Sequence, residues 1–337
     1  MILVTGGLGY IGAHTVVALI QQDYQVLIVD DLSNSSLRVL ESIKQITGQK
    51  PQFEKIDLKD EKSVEALFIN YPAIKGIIHF AAAKAVGESV MAPLKYYRNN
   101  IAPLLHILQQ IKSPTHFIFS SSCTVYGQAK QLPITEQTPT QRPESPYGNT
   151  KKIGEEILAD VTAVNKNLKT ISLRYFNPIG ANSSGLIGEN PKDIPQNLVP
   201  YITQSAMGKV PELVVHGRDY PTADGTCIRD YIHVDDLADA HVAALAYLNE
   251  QKKTNAYSVF NIGTGRGNSV LEVIESFKRV TNVALKYNFG PRRKGDIVSA
   301  YACIDKAKSL FNWAPKHSLD EAIQSAWEWE KKNTPST

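Results

Sequence analysis

Tyr147 and Lys151 stand four residues apart at the start of a helical pattern, just after a loop carrying Pro133, Pro139, Pro143 and Pro146. At that spacing both side chains share one helix face, about one turn from each other. An ammonium beside a phenol favours the phenolate and lowers a pKa that is about 10 in a free tyrosine. The chemistry on offer is a general base usable near neutral pH. Taken alone, the pair fits a solvated surface contact equally well, so its meaning depends on what the rest of the chain brings to it. A second candidate is Ser122, within Ser120-Ser121-Ser122-Cys123-Thr124-Val125-Tyr126-Gly127. Those serines directly follow the apolar run His116 to Phe119, and residues at the carboxyl end of a strand face the crevice where α/β sheets hold ligands. Arg292-Arg293-Lys294 is either a solvated charge run or an anion site.

The elements that must position these groups alternate between strand and helix. Residues 2–5 are a short apolar, β-branched run, read as a buried strand. Gly6, Gly9 and Gly12 follow at a strand-to-helix turn, and a helical pattern runs to about Gln22. Glycines at that spacing let the backbone approach a pyrophosphate at the helix N-terminus. A second apolar strand, Val26-Leu27-Ile28-Val29, ends at Asp30, 18 residues after Gly12. An acid there bonds ribose hydroxyls and repels a 2′-phosphate, which favours NAD over NADP. Further strands are expected from Phe53 to Ile56, Gly76 to Phe80, His116 to Phe119 and Thr170 to Arg174, with helices at 61–70, 91–111 and from Tyr147 to about Val164. The pattern predicts an α/β fold, a doubly wound parallel Rossmann sheet. Residues 177–196 read as one long loop. Beyond it, short strands near 213–216, 228–232, 258–262 and 284–287 alternate with helices at 196–207, 235–248, 269–281, 304–312 and 318–331. The expected organisation is a dinucleotide-binding domain over 1–176 that also receives segments from about 228–262. Residues 177–337 form mainly a smaller, interleaved C-terminal α/β substrate lobe.

Composition excludes several function classes. The chain has 337 residues, 43% hydrophobic and 20% charged, as ordinary globular domains do. A formal net charge of +3, with no long basic block, gives no footprint for nucleic acid. Cys123, Cys227 and Cys303 are odd in number and far apart, so they form neither a zinc spacing nor a disulfide framework, and a reducing, cytoplasmic setting fits. No signal-peptide pattern opens the chain, and no apolar run approaches the ~20 residues of a membrane helix.

Taken together, the motifs resemble the extended short-chain dehydrogenase/reductase family over essentially the whole chain, and within it the members that act on UDP-hexoses. The resemblance is carried by Val4-Thr5-Gly6-Gly7 with Gly9-Tyr10-Ile11-Gly12, by His79-Phe80-Ala81, by Lys84 to Ser89, and by Tyr96-Tyr97 with Asn99-Asn100. It continues through Phe119 to Gly127, Ser145-Pro146-Tyr147-Gly148 and Leu173 to Pro178. Its last carriers are Asp219 to Thr226, Arg229 to Val234 and Gly267 to Val270. The resemblance implies NAD-dependent 4-epimerisation. Tyr147 takes the proton of the sugar 4-hydroxyl as hydride leaves for NAD, Lys151 holds Tyr147 ionised and bonds the nicotinamide ribose, and Ser122 bonds the reacting oxygen. The 4-keto sugar then turns over and receives the hydride on its other face.

The same resemblance assigns the remaining sites. Cofactor contacts fall on Gly6, Gly9, Tyr10, Ile11, Gly12, Asp30, Asp31, Asn34, Ser35, Asp57, Leu58, Phe80, Ala81, Ala82, Lys84, Asn99, Ser122, Tyr147, Lys151 and Phe176. Substrate contacts fall on Lys84, Ser122, Tyr147, Asn177, Asn197, Leu198, Val214, Val215, His216, Arg229, Tyr231, Arg293, Asp296 and Ala300. Arg229 and Arg293 match diphosphate-binding arginines, whose guanidinium fork suits phosphate oxygens. Val214-Val215-His216 match the strand beside uracil, and Asp296 the uridine ribose contact. A homodimer is also implied, through helices near 91–111 and 145–164.

One departure bears on the substrate. Relatives restricted to non-acetylated sugars resemble one another in a tyrosine at the position of Ala300, and here the tyrosine comes one residue later, as Tyr301. The small residue leaves space for an N-acetyl group, so UDP-GlcNAc and UDP-GalNAc are expected substrates too, unless Tyr301 turns into the gap. Other readings are a preference for UDP-GlcNAc, a UDP-uronate 4-epimerase, and a non-catalytic NAD-binding regulator. A 4,6-dehydratase would need an Asp-Glu pair where Cys123-Thr124 stands.

Overall fold

In the computed structural model, residues 1–252, 255–293 and 295–333 are described; Lys294 of the basic run lies outside them. The first half alternates β1 (Ile2–Thr5), α1 (Tyr10–Gln21), β2 (Val26–Asp30), α2 (Arg38–Thr47), β3 (Gln52–Lys55), α3 (Glu61–Asn70) and β4 (Gly76–His79). It continues with α4 (Val86–Met91), α5 (Pro93–Gln109), β5 (Thr115–Ser122), α6 (Pro146–Val164) and β6 (Leu168–Tyr175). The second half holds β7 (Asn177–Ile179), α7 (Leu198–Ala206), β8 (Leu213–His216), β9 (Ile228–Arg229), β10 (Tyr231–His233), α8 (Val234–Glu250) and β11 (Tyr257–Ile262). It closes with β12 (Asn268–Ser269), α9 (Val270–Thr281), β13 (Tyr287–Gly290), β14 (Ser299–Ala300), α10 (Asp305–Phe311) and α11 (Leu319–Lys332).

The main sheet has seven strands in the order β11-β6-β5-β4-β1-β2-β3, every pairing parallel. Parallel strands are covered on both faces, which is why β1, β2 and β4 are buried at every position. Alternation sends Val4, Ile28, Ile78 and Ile118 to a core shared with α1 and α8. It sends Leu3, Leu27, Ile77 and Phe117 to the opposite core, shared with α3, α5 and α6. The order reverses between β1 and β4, so the crevice at their carboxyl ends is the topological switch point.

A third core, including Ile179, Val199, Ile202, Val273, Phe277 and Trp327, holds the second lobe together. Later segments return to the main sheet. Helix α8 packs on α1, and β11 pairs with β6, so both elements belong to the main sheet unit. Of the strand expected near 228–232, β9 joins a small sheet with β12 and β14, and β10 pairs with β7.

Several expectations were imprecise for physical reasons. The helix expected over 91–111 runs instead from Pro93 to Gln109, and a separate helix, α4, ends at Met91 before it, because Pro93 has no N–H and starts a helix rather than continuing one. Helix α2 was not anticipated, and residues 177–196 contain the short strand β7. Strand β13 begins three residues later than the run expected at 284–287. Among the described residues no helix is long and apolar enough to cross a membrane.

Candidate active site

The glycine turn is built for close approach. Gly6 has φ +67°, and a Cβ on Gly12 would lie 2.3 Å from the Gly6 carbonyl oxygen. Gly9 caps α1 without a side-chain hydrogen bond, and the first turn of α1 carries no acid, so its leading N–H groups remain available to an anion. Asp30, at the end of β2, is fixed from three sides. Its Oδ2 accepts from the Leu8 N–H at 3.1 Å, and its Oδ1 from the Leu32 N–H at 3.0 Å and from Ser35 Oγ at 2.6 Å. Turn and acid are thus locked to each other, a cradle that fits a dinucleotide. Asp31 and Asp57 fix their own loops, accepting from the Ser33 and Lys59 N–H groups at 2.8 and 2.9 Å. The Tyr10 hydroxyl donates to the Gly180 carbonyl at 2.6 Å, tying α1 to the second lobe.

At the end of β5 the three serines have different partners. Ser120 Oγ shares a short hydrogen bond with the Tyr175 hydroxyl, and Ser121 Oγ donates to Glu155 at 2.5 Å. Ser122 is left to cap the turn after β5, accepting from the Thr124 N–H at 3.2 Å, and its side chain also bears on the Tyr147 phenol. Helix α6 delivers Tyr147 and Lys151 beside it. Its start is set by Ser145, whose hydroxyl accepts from the Gly148 N–H at 3.2 Å, followed by Pro146 in the first turn.

The electrostatics differ from the simple pair. Lys151 is buried, its Nζ donating to the Ser120 carbonyl at 2.7 Å and lying 5.9 Å from the Tyr147 ring centre. Burial pushes Lys151 down to about 7 and Tyr147 up to about 12, with Ser122 pulling Tyr147 the other way. In the protein alone, desolvation therefore outweighs the ammonium that was expected to favour the phenolate. Each charge is costly by itself and becomes cheaper when the other ion is present; further positive charge nearby favours the phenolate alone.

A buried network holds this geometry. Glu155 accepts from Arg174 Nε at 2.8 Å and Nη2 at 2.5 Å as well as from Ser121. Arg174 Nη1 donates to the Tyr126 hydroxyl at 3.0 Å, which donates to Asn261 Oδ1 at 2.7 Å. The network couples α6, β5, β6 and β11 around the serines, and it gives Tyr126 a role. Asn100 does similar work on the other side. Its Oδ1 accepts from the Ala83 N–H at 2.8 Å, and its Nδ2 donates to Thr150 Oγ1 at 2.9 Å. Sequence reasoning missed Glu155 and Arg174. The available signal was a charge inside a buried strand and a carboxylate one turn beyond Lys151.

In the second lobe, Arg229 Nη2 meets Asp296 Oδ1 at 3.1 Å, and its Nη1 donates to the carbonyls of Ile228 and Ile297, each at 2.8 Å. The expected diphosphate and ribose contacts are thus neighbours. Arg293 is exposed. In β8, Val214 is exposed, Val215 turns into the core and His216 is half-buried, so Val215 could offer a ligand only its backbone. Tyr231 is likewise buried in that core. Glu189 Oε1 accepts from Lys84 Nζ at 2.8 Å and Asn197 Nδ2 at 2.7 Å, joining two expected substrate residues from different lobes. Asp230, beside Arg229, accepts from the backbone of Thr264, Gly265 and Ala302 at 2.8 to 3.1 Å and so fixes the loops around it.

Ala300 is 1% exposed, and it packs with Val125, Tyr126 and Phe176 beside the serine turn. Tyr301 faces the other way along the strand. Its ring lies 3.0 Å from where a Cβ on Gly267 would stand, and its carbonyl accepts from the Ile134 N–H at 2.9 Å. Among the described residues no group of His, Cys, Asp or Glu side chains is arranged to hold a metal.

The chain matches a family model described as GDP-mannose 4,6 dehydratase over residues 3–326. It is 47% identical over 334 residues to a UDP-glucose 4-epimerase of Dictyostelium discoideum, an alignment covering 98% of this chain and 96% of that protein. It is similar to a UDP-glucose 4-epimerase from Stenotrophomonas maltophila, solved with bound NAD and formylated UDP-arabinopyranose, with a TM-score of 0.94, 44% identity and 98% of each chain covered. A UDP-glucose 4-epimerase from Bifidobacterium longum, solved in complex with NAD+ and UDP, superposes with a TM-score of 0.93 at 44% identity, again over 98% of each chain.

Proposed function

This chain belongs to the GDP-mannose 4,6 dehydratase family, among its UDP-glucose 4-epimerases, and we propose that it interconverts UDP-galactose and UDP-glucose on a bound NAD through a transient 4-keto sugar. The observation that carries the site assignment is the convergence of Ser122, Tyr147 and Lys151 at the end of β5, two strands from the glycine turn in the same sheet. The glycine cradle and the immobilised Asp30 fit a dinucleotide with free ribose hydroxyls, and a 2′-phosphate would meet the Asp30 carboxylate. When bound there, NAD supplies the hydride acceptor and donor.

The chain's own residues do the rest. Tyr147 accepts the proton of the 4-hydroxyl as a general base and returns it at the end of the cycle. Lys151 supports the phenolate, and Ser122 donates to the reacting oxygen. The sugar must present both faces, so the grip belongs at the nucleotide end. Arg229, Arg293 and Asp296 provide diphosphate and ribose contacts, Asn177, Asn197 and Leu198 further substrate contacts, and Val214 and His216 flank the base. The name of the family model raises dehydration as a rival, but Cys123-Thr124 offers no acid pair, and burial holds the Cys123 thiol up at about 12. The small Ala300, with Tyr301 turned away, supports acceptance of N-acetylated sugars as well.

The test is to offer the purified protein UDP-galactose with no added NAD. UDP-glucose should form, and NAD should be recovered on denaturation at about one per chain. NAD-loaded protein that leaves UDP-galactose unchanged would instead favour a non-catalytic NAD-binding protein.

We propose further that the protein works as a homodimer in the cytoplasm. Met91 and Leu94 are 85% and 82% exposed on α4 and α5, and Val90 beside them is also uncovered, an apolar face suited to a twofold contact. Sedimentation at twice the chain mass, reduced to one by Met91→Asp with Leu94→Asp, is expected; a monomeric parent protein refutes the dimer. The three unpaired cysteines suit a reducing compartment, which fractionation of the producing cell would check.

A further inference from the structure

Tyr220 lies in the loop between β8 and β9, the two strands proposed to carry the base and diphosphate contacts. It is 4% exposed, and its hydroxyl has no hydrogen-bond partner among the described residues. A buried hydroxyl without a partner is costly, and folded proteins rarely keep one without a use. The surroundings hold the ring in place. The Arg292 guanidinium lies 4.2 Å above its centre and is itself fixed by Asp219 at 2.8 Å. Gly217 packs so closely on the ring that a Cβ there would lie 2.3 Å from it. The Tyr220 N–H donates to the Gly225 carbonyl at 3.0 Å, closing the loop on itself. The ring is thus held in place, and its enclosed hydroxyl is unused by the protein.

Its electrostatic neighbours identify what it would take. Burial comes first and the Asp296 carboxylate second in raising its pKa, while Arg292 and Arg229 oppose them. The hydroxyl therefore stays protonated at neutral pH, and it can serve as a donor. It sits among the same arginine and aspartate side chains to which the nucleotide is assigned.

We propose that Tyr220 is a substrate-binding residue whose hydroxyl donates to an oxygen of the uridine diphosphate moiety. This rests on the nucleotide-sugar reading above and extends it by one residue. The donor would grip the part of the substrate that stays still while the sugar turns, so its contribution is the same in ground and transition states.

Tyr220→Phe removes only the oxygen and keeps the ring under Arg292 and against Gly217. Two measurements on the NAD-containing protein separate binding from structure. UDP titrated calorimetrically should bind about tenfold or more weakly to the variant, the size of a hydrogen bond to a charged group. KM for UDP-galactose should rise with kcat nearly unchanged. Thermal denaturation without UDP should show the variant equally or more stable, since it no longer buries an unpaired hydroxyl. Unchanged UDP affinity in the variant, or weaker binding together with a lower melting temperature in the absence of UDP, would overturn the role given to Tyr220. If the unmutated protein does not bind UDP, the nucleotide-sugar reading falls, and this inference with it.

Discussion

Tyr147→Phe is expected to lower kcat for UDP-galactose by ~10²–10⁴-fold, the usual contribution of a positioned general base, with KM altered only a few-fold. The effect should be concentrated in the chemical step because the phenylalanine keeps the ring and loses only the oxygen that moves the proton. Burial makes that oxygen a reluctant base in the protein alone, with Tyr147 near 12 and Lys151 near 7. Both are held away from their charged forms by the same desolvation, so the phenolate forms most readily when the site is loaded and positive charge is near. The variant should retain its NAD, recoverable on denaturation, because the glycine cradle and Asp30 lie outside the change. Turnover within tenfold of the parent protein, with NAD still bound, would show that another group takes the proton.

Much of this arrangement is legible in the chain, for reasons that can be named. A buried parallel strand shows itself as an uninterrupted apolar run, so β1, β2 and β4 stand out. The glycine turn stands out because no other residue type fits where a Cβ would strike the Gly6 carbonyl. What local pattern hides is pairing over long distance. Nothing near Glu155 announces that it holds Arg174 and Ser121, and nothing near Tyr126 points to Asn261, 135 residues away. The same limit concealed that β7 completes a pair with β10. In the protein alone the Tyr147 shift runs opposite to the one spacing suggests for a related reason: spacing reports that a lysine is near, whereas burial depends on everything folded around both groups.

Ala300→Tyr is expected to reduce turnover of UDP-GalNAc by two orders of magnitude or more, and to leave UDP-galactose turnover within a few-fold. The expectation turns on which side of β14 each side chain takes. Ala300 pairs in register with Arg229, and its methyl group packs against Val125 and Phe176 beside the serine turn. Alternation turns Tyr301 to the opposite face, over Gly267, and its carbonyl is bonded to Ile134. Tyr301 therefore cannot substitute for the missing ring without breaking that register. A tyrosine at 300 is expected to project toward the sugar, because Ala300 is buried in an apolar cluster and overpacking such a core typically costs about 1–3 kcal/mol. A melting temperature near that of the parent protein shows that the new ring has gone to the sugar side rather than into the core. In that case a phenol in the place of an acetamido group excludes the N-acetylated sugar by sterics, while the plain hexose, with only a hydroxyl there, still fits. If both substrates decline together, the ring is blocking the site in general; if both survive, Ala300 does not face the C2 substituent, and the sugar is selected elsewhere.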